Sequence, residues 1–399
     1  MVFQEDSAAE FFRSFIKKSF EKTGKKVVVL IDEYDKSSID YLDNNARFEE
    51  NRMFLKSFYG IMKPSDEYLE FVLLTGVSQF SKVSIFSDLN NIQDITLHSK
   101  FGDIVGISQE DLESYFELEL NALSAEKNIT KEVFLNEIKS WYNGYTWDLK
   151  TKMYNPFSLL LFFSNNGNFE NYWFQTGTPY FLIKELRKHR MYDIAKIETT
   201  ATVLTSFDAQ NLNTTCLLFQ TGYLTLSSYD SDFGIYTLDF PNREVRHSLL
   251  QYLMESYRSN NEAVLPTVVD FYKALRINDI DLAMEHINTV FSTIPAELWQ
   301  KENEHFYHAL IHLTFVLLGA YVQSEVHSSK GRCDALIHAE NYIYAFEFKL
   351  DKSSEQALQQ IEDRGYLKPY TASPKIKIAV RVNFSKENKC IESYLSKIY

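Results

Sequence analysis

The sequence predicts an α/β protein built in three parts. Two apolar strand patterns separated by a helix come first, a mostly helical stretch with one β segment follows, and strands with flanking helices close the chain. The 399 residues suffice for two or three domains at roughly 100 to 200 residues each. We expect domains at residues 1–107, 108–265 and 266–399.

The first part has the pattern of a parallel sheet. Residues 27–31 (VVVLI) form an unbroken aliphatic run that ends in Asp32 and Glu33. Such a run is typical of a strand buried on both faces. A second run at residues 71–74 (FVLL) ends in Thr75, and a helical pattern separates the two runs. The two strands are therefore expected to pair in parallel through a crossover.

The middle part is mostly helical from about residue 108 to residue 200, with aromatic-rich turns. Residues 217–252 change to strand alternation (GYLTLSS and GIYTLDF) followed by a helical pattern. Two strands and a helix in this order favour a small winged module. Residues 266–300 are again predicted to be helical.

The last part alternates helices and strands. In order, it is predicted to contain a helix at 304–320, strands at 322–327, 332–338 and 342–350, a helix at 354–365 and a strand at 377–382. This order predicts one compact α/β unit.

The charge of the chain bears on how it can bind nucleic acid. The net charge of −13 argues against a protein that coats nucleic acid through a broad basic surface. Residues 320–399, however, carry 12 Lys and Arg against 10 Asp and Glu, whereas the rest of the chain carries 29 against 44. A local nucleic-acid site is therefore compatible with the last part of the chain.

Cysteine content and hydropathy bear on the compartment. Three scattered cysteines without a C-x-x-C pair argue against a disulfide framework and a zinc knuckle. Residues 1–10 lack the pattern of a signal peptide. The longest apolar run, residues 309–322, is shorter than the roughly 20 residues of a membrane helix. A cytoplasmic protein without a membrane segment is expected.

Four polar residues stand among the apolar strands of the last part. Glu347 and Lys349 are two apart on one strand, so their side chains share a face. Glu325 and Asp334 precede them at spacing compatible with a hairpin. Three carboxylates brought together would supply oxygen ligands for Mg²⁺, and a lysine would orient water or offset negative charge. Alternatively, Glu347 and Lys349 form an exposed ion pair without a catalytic role.

Residues 324–366 resemble the PD-(D/E)XK nuclease superfamily, and more closely the nuclease-like domain at the C-terminus of a bacterial AAA-ATPase-like family. The resemblance implies a restriction-endonuclease-like fold and metal-dependent phosphodiester hydrolysis with Mg²⁺ or Mn²⁺. It assigns Glu325, Asp334 and Glu347 as metal ligands, Lys349 as the catalytic cation and Gln360 as a further site residue on the following helix. Nucleic acid is the implied partner.

The N-terminal part resembles the ATPase module of the same family. VVVLIDEYDK is similar to its Walker B motif, which implies that Asp32 holds Mg²⁺ and Glu33 polarises water. Residues 71–91 resemble the strand and loop that follow, with Thr75 at the position of a polar sensor residue. Aromatic motifs in the middle part, such as YNGY and YNP, extend the resemblance over nearly the whole chain.

The chain departs from this family in one respect. No G-x-x-x-x-G-K-[ST] sequence occurs in it, so the Walker A loop (P-loop) that cradles the phosphates of ATP is missing. We expect that the chain begins after that loop and contains only a partial P-loop-type sheet. ATP would then bind only if a P-loop is supplied elsewhere. Self-association or a partner chain could complete the exposed edge of the sheet.

Three functions remain open from the sequence. The first is a metal-dependent nuclease that acts on DNA or RNA, joined to an ATPase remnant. The second is a catalytically inactive binding or regulatory protein that keeps the nuclease fold. The third is a fragment of an ATP-driven machine.

Overall fold

A computed structural model describes most of the chain, and all structural statements below concern the described residues. These are 5–39, 41, 44–76, 85–86, 89, 91–176, 180–189, 191, 194, 196–205, 213–256, 264–294, 314, 335–350, 367–385 and 387–399.

The chain divides into two compact units. The first comprises Met1–Lys139, Asn143–Pro156 and Ala195–Pro241, and the second comprises Ser140–Tyr142, Phe157–Ile194 and Asn242–Tyr399. The three domains expected from the sequence remain a prediction. No described helix is long and apolar enough to cross a membrane.

Helices are numbered in chain order. They are α1 Glu5–Thr23, α2 Lys36–Ile39, α3 Asn45–Gly60, α4 Gln109–Tyr115, α5 Glu117–Glu126, α6 Lys131–Tyr142, α7 Pro156–Ser164, α8 Tyr180–Lys188, α9 Ala201–Thr205, α10 Thr214–Gln220, α11 Arg243–Glu255, α12 Val264–Arg276 and α13 Ile280–Ser292. Short 3-10 helices lie at Lys63–Tyr68, Ser99–Phe101, Trp173–Thr176 and Lys368–Tyr370.

Strands are numbered in the same way. They are β1 Val27–Ile31, β2 Leu69–Leu74, β3 Asn143–Tyr145, β4 Met153–Tyr154, β5 Ile197–Thr200, β6 Thr225–Asp230, β7 Ile235–Asp239, β8 Ala335–His338, β9 Tyr342–Leu350, β10 Ile376–Ser385 and β11 Cys390–Ile398.

Strands β1 and β2 of the first unit pair in parallel, as the two apolar runs predict. One face of this pair is packed: Val29 is buried with Ile16 of α1 and Leu55 of α3. On the other face Leu30 is 68% exposed and Phe71 is 53% exposed. The prediction of a strand buried on both faces is therefore wrong for the described residues, because the helices that pack against the pair lie on one side of it.

The first unit also contains a three-stranded antiparallel sheet in the order β5-β7-β6. Strands β6 and β7 form the hairpin that the strand alternation predicts, whereas β5 was not indicated by the sequence. Helix α11 follows the hairpin in the chain and is assigned to the second unit.

The second unit contains a four-stranded mixed sheet in the order β11-β10-β9-β8. Strands β9 and β10 at its centre are parallel, and both outer pairs are antiparallel. Strand β9 has the predicted bounds, while β11 was not predicted.

Helices α12 and α13 cover one face of this sheet. The ring of Phe271 in α12 lies 6.3 Å from that of Phe346 in β9, and Phe291 in α13 lies 4.8 Å from Phe384 in β10. Tyr344 donates a hydrogen bond from its hydroxyl to the carbonyl oxygen of Leu275 at 2.8 Å. Because side chains alternate along a strand, the residues between these aromatic side chains point to the opposite face.

A buried carboxyl group anchors the start of α11 within the second unit. Glu244 is fully buried and accepts a hydrogen bond from the backbone N–H of Trp173 at 2.8 Å. Burial raises the pKa of the Glu244 carboxyl to about 7, although hydrogen bonds from the Trp173 backbone and the Ser158 side chain act in the opposite direction. The folded state therefore holds a proton on Glu244 at pH values where the unfolded chain releases it.

This raised pKa predicts a pH-dependent effect of Glu244→Gln. Stability that comes from neutral Glu244 is complete below the unfolded pKa of about 4.3 and is lost as the pH rises toward the folded value. Relative to the glutamine variant, the parent should lose about 2.5 kcal/mol of unfolding free energy between pH 5 and pH 8. Urea unfolding across this range measures the difference. Glu285→Gln, which changes an exposed carboxylate on α13, is the control, and parallel pH curves for parent and Glu244→Gln would contradict the prediction.

Candidate active site

Glu347 lies in the middle of β9, on the sheet face opposite α12 and α13. It is 2% exposed, and its Oε1 accepts a hydrogen bond from Lys349 Nζ at 2.6 Å. The Lys349 side chain is 24% exposed, so it reaches from the buried carboxylate toward solvent. The two side chains share one face because they are two residues apart on a strand.

The burial of Glu347 argues against the alternative of an exposed cross-strand ion pair. A buried carboxylate is costly unless its charge and its oxygens find partners. Lys349 satisfies Oε1, whereas Oε2 is buried and accepts no hydrogen bond from the described residues. An unsatisfied buried acceptor costs about 1–3 kcal/mol. Such an oxygen is suited to a hard divalent cation, which prefers carboxylate ligands.

A second buried cation lies next to this pair. Arg381 is opposite Glu347 in the parallel pairing of β9 with β10, and it is 1% exposed. Burial lowers the pKa of the Arg381 guanidinium, and the nearby Glu347 charge raises it. The sequence analysis did not single out Arg381. The available signal was one charged residue inside the apolar run IAVRVNF.

Three predicted site residues lie outside the described residues: Glu325, Asp334 and Gln360. Asp334 is covalently joined to Ala335, the first residue of β8, and Ala335 is paired with Phe346. No group of three His, Cys, Asp or Glu side chains that could hold a metal occurs in the part of the chain that the structure describes. The structure thus brings together Glu347 and Lys349 of the predicted set.

The predicted ATPase residues meet at the ends of β1 and β2 in the first unit. Thr75 donates a hydrogen bond from its hydroxyl to Asp32 Oδ1 at 2.5 Å. The Thr75 backbone N–H also donates to the carbonyl of Ile31 at 2.8 Å, and the Tyr34 N–H donates to the carbonyl of Thr75 at 2.9 Å. Two polar side chains therefore meet at the carboxyl ends of parallel strands, where open α/β sheets bind ligands.

Glu33, the residue after Asp32, has an unusual backbone conformation. Glu33 has a φ of +52°, in the left-handed region that non-glycine residues rarely adopt, and its side chain is exposed. The nearby Asp35 is fully buried, and a Cβ on Gly76 would lie 2.6 Å from Asp35 Oδ1. This close approach explains a glycine directly after Thr75.

Comparisons with known proteins identify one domain family near each end of the chain. Residues 2–86 match the family described as Predicted AAA-ATPase, and residues 302–394 match the PD-(D/E)XK nuclease superfamily. A protein of Azotobacter chroococcum mcd 1, described as "Uncharacterized protein in vnfD 5'region", is 34% identical over 396 residues, which are 96% of this chain and 74% of that protein. No solved structure matches the chain. The chain therefore belongs to the same family as the Azotobacter protein, with an AAA-ATPase-like domain at its N-terminus and a PD-(D/E)XK nuclease domain at its C-terminus.

Proposed function

We propose that the protein is a metal-dependent nuclease that hydrolyses phosphodiester bonds of DNA or RNA through its C-terminal domain. The observation that carries this proposal is the buried Glu347, with one oxygen bound to Lys349 and the other without a hydrogen-bond partner among the described residues. This pair lies within residues 302–394, the segment that matches the nuclease superfamily.

The proposed roles follow from the chemistry of each group. Glu347 would hold Mg²⁺ or Mn²⁺ together with Asp334 and Glu325, and the bound ion would supply water activation and charge stabilisation. Lys349, partly open to solvent, would orient the attacking water and offset negative charge that develops on the phosphate. Gln360 would complete the site from the helix predicted after β9.

We further propose that the N-terminal domain does not hydrolyse ATP by itself. The hydrogen bond between Thr75 and Asp32 supports a Walker B and sensor arrangement, in which Glu33 would polarise water. The sequence contains no Walker A loop, however, and phosphoryl transfer depends on the positioning that such a loop provides. ATP binding would require a P-loop from elsewhere, for example from a second copy or a partner chain. A cytoplasmic location fits these roles.

A second candidate function is a nucleic-acid-binding or regulatory protein that does not cleave its ligand. The net charge of −13 favours this candidate, because it weakens the general attraction between protein and phosphates. The hydrogen bond between the buried Glu347 and the partly exposed Lys349 favours the nuclease.

The cleavage of nucleic acids by Lys349→Ala tests the proposal. The parent protein is incubated with linear, supercoiled and single-stranded DNA and with RNA, each with Mg²⁺, Mn²⁺ or EDTA. We expect metal-dependent cleavage by the parent and at least a roughly 100-fold loss in Lys349→Ala, because the cation beside Glu347 is removed. Lys377→Ala changes a lysine on β10 that hydrogen-bonds the Ser373 carbonyl and serves as the control. Equal cleavage by Lys349→Ala and the parent would contradict the assignment, and binding without cleavage would favour the second candidate.

A further inference from the structure

We propose that Arg381 is a positioning residue that balances charge at this site, strengthening the binding of nucleic-acid phosphates while weakening that of the metal ion. The inference rests on the proposed nuclease function and adds a residue from the neighbouring strand. Its basis is the register of the two strands, which sets Arg381 of β10 opposite Glu347 of β9, and the burial of both side chains.

The sheet face that carries Glu347 and Lys349, opposite α12 and α13, is called the site face. The register of the central strands places Arg381 on this face. Parallel pairing of β9 with β10 sets Arg381 opposite Glu347 and Asn383 opposite Lys349. Residues directly opposite on paired strands point to the same face of the sheet. The guanidinium is therefore on the face that carries Glu347 and Lys349, away from α12 and α13.

The charge of Arg381 is permanent. A guanidinium does not lose its proton in proteins, even where burial disfavours the charged form. The Glu347 carboxylate acts in the opposite direction and favours the charged form of Arg381. At 1% exposure, this charge is screened by solvent much less than that of a surface arginine.

The described site face carries more positive than negative charge. Lys349 and Arg381 provide two cations around one carboxylate, Glu347. The next carboxylate along the sheet is that of Glu392, which is exposed and accepts a hydrogen bond from Asn383 at 3.3 Å. A buried positive charge attracts a phosphate and repels a divalent cation. Ligands contributed by Asp334 and Glu325 would change the total charge but not the sign of these two effects.

Loss of the Arg381 charge is therefore expected to move two binding constants in opposite directions. In Arg381→Met, the dissociation constant for Mn²⁺ should fall about tenfold, and that for a short duplex DNA should rise about tenfold. Arg381→Lys should bring both constants back toward the parent values, because the neighbouring Glu347 carboxylate favours a charged lysine at this position. A residue that merely supports the fold would weaken both kinds of binding together.

The experiment uses the full chain. Isothermal titration calorimetry measures Mn²⁺ alone, and fluorescence anisotropy measures the duplex in EDTA, so that no cleavage occurs. Lys377→Met, on the same strand and the same face, is the control and should leave both constants unchanged. If Arg381→Met lowers the melting temperature too far for titration, Arg381→Gln removes the same charge while keeping polar groups.

Weaker binding of both ligands, or no change in either, would overturn the proposal. Glu347→Gln distinguishes this failure from failure of the nuclease proposal. If Glu347→Gln binds Mn²⁺ as well as the parent does, the proposed metal site is wrong. If Glu347→Gln loses Mn²⁺ while Arg381→Met leaves both constants unchanged, only the role of Arg381 is wrong.

Discussion

Glu347→Gln is expected to abolish the binding of Mg²⁺ or Mn²⁺ and to slow cleavage at least about 100-fold. Removing groups that merely support metal ligands costs about 10- to 100-fold in affinity or activity, so removing a ligand should cost at least as much. Glutamine keeps the size of the side chain and an oxygen that can accept the hydrogen bond from Lys349. The expected loss therefore reflects the carboxylate charge.

The same variant should also be less stable without metal. Glu347 is buried and its Oε1 is bound to Lys349, so its neutralisation removes the counter-charge of that lysine. Removing one partner of a buried ion pair costs about 3 kcal/mol. We expect a loss of this size in urea unfolding with EDTA, together with loss of the thermal protection that Mn²⁺ gives the parent.

Glu340→Gln is the matched control for this prediction. Glu340 lies just before β9, and its exposed carboxylate pairs with Arg276 at 2.5 Å. Exposed pairs contribute about 0–1 kcal/mol, so this variant should unfold and respond to Mn²⁺ as the parent does. If Glu347→Gln kept the full thermal protection by Mn²⁺, the metal site would have to lie elsewhere in the chain.

Gly144→Ala is expected to destabilise the first unit by about 4 kcal/mol or more. Gly144 in β3 has a φ of +130°, and a Cβ added there would lie 1.9 Å from the carbonyl oxygen of Pro241. The backbone of one segment must therefore move in addition to the strain at Gly144 itself. Urea unfolding followed by fluorescence measures the change.

Gly234→Ala separates the cost of the left-handed backbone from the cost of the close approach to Pro241. Gly234 also has a positive φ, +66°, but nothing lies within 4 Å of an added Cβ. The control should lose only about 1 kcal/mol, the cost of the left-handed backbone. Similar losses in Gly144→Ala and Gly234→Ala would show that the approach of Pro241 does not matter.

The sequence predicted the elements whose patterns are determined locally. Strand β9 has the predicted bounds because an aromatic residue occupies every second position from Tyr342 to Phe348. Strand β11, in contrast, carries mixed polar residues (CIESYLSKI), and most of it is at least partly exposed. Its pairing with β10 identifies it as a strand, and pairing between strands is not visible in a local pattern.

Burial was predicted less well than strand position. The run VVVLI in β1 satisfies the pattern of a fully buried strand, yet Val28 and Leu30 are 53% and 68% exposed. An apolar pattern shows that a strand can be covered on both faces, whereas coverage depends on which elements pack there.

The same distinction applies to the site. Alternation along one strand was enough to place Glu347 and Lys349 on one face. The position of Arg381 depends on the register between β9 and β10, which pairs residues 34 positions apart in the chain. No spacing rule within one strand contains this information. Tertiary pairing thus adds a buried cation that the linear motif lacks.

The central claim is that metal-dependent cleavage depends on the buried Glu347 and on Lys349, which is hydrogen-bonded to it. The most direct measurement is the single-turnover rate of phosphodiester cleavage in Mg²⁺ for the parent, Glu347→Gln and Lys349→Ala on the same nucleic acid. We predict cleavage by the parent that stops in EDTA, and rates at least about 100-fold lower in both variants. Cleavage by the parent that continues in EDTA, or parental rates in both variants, would contradict the claim.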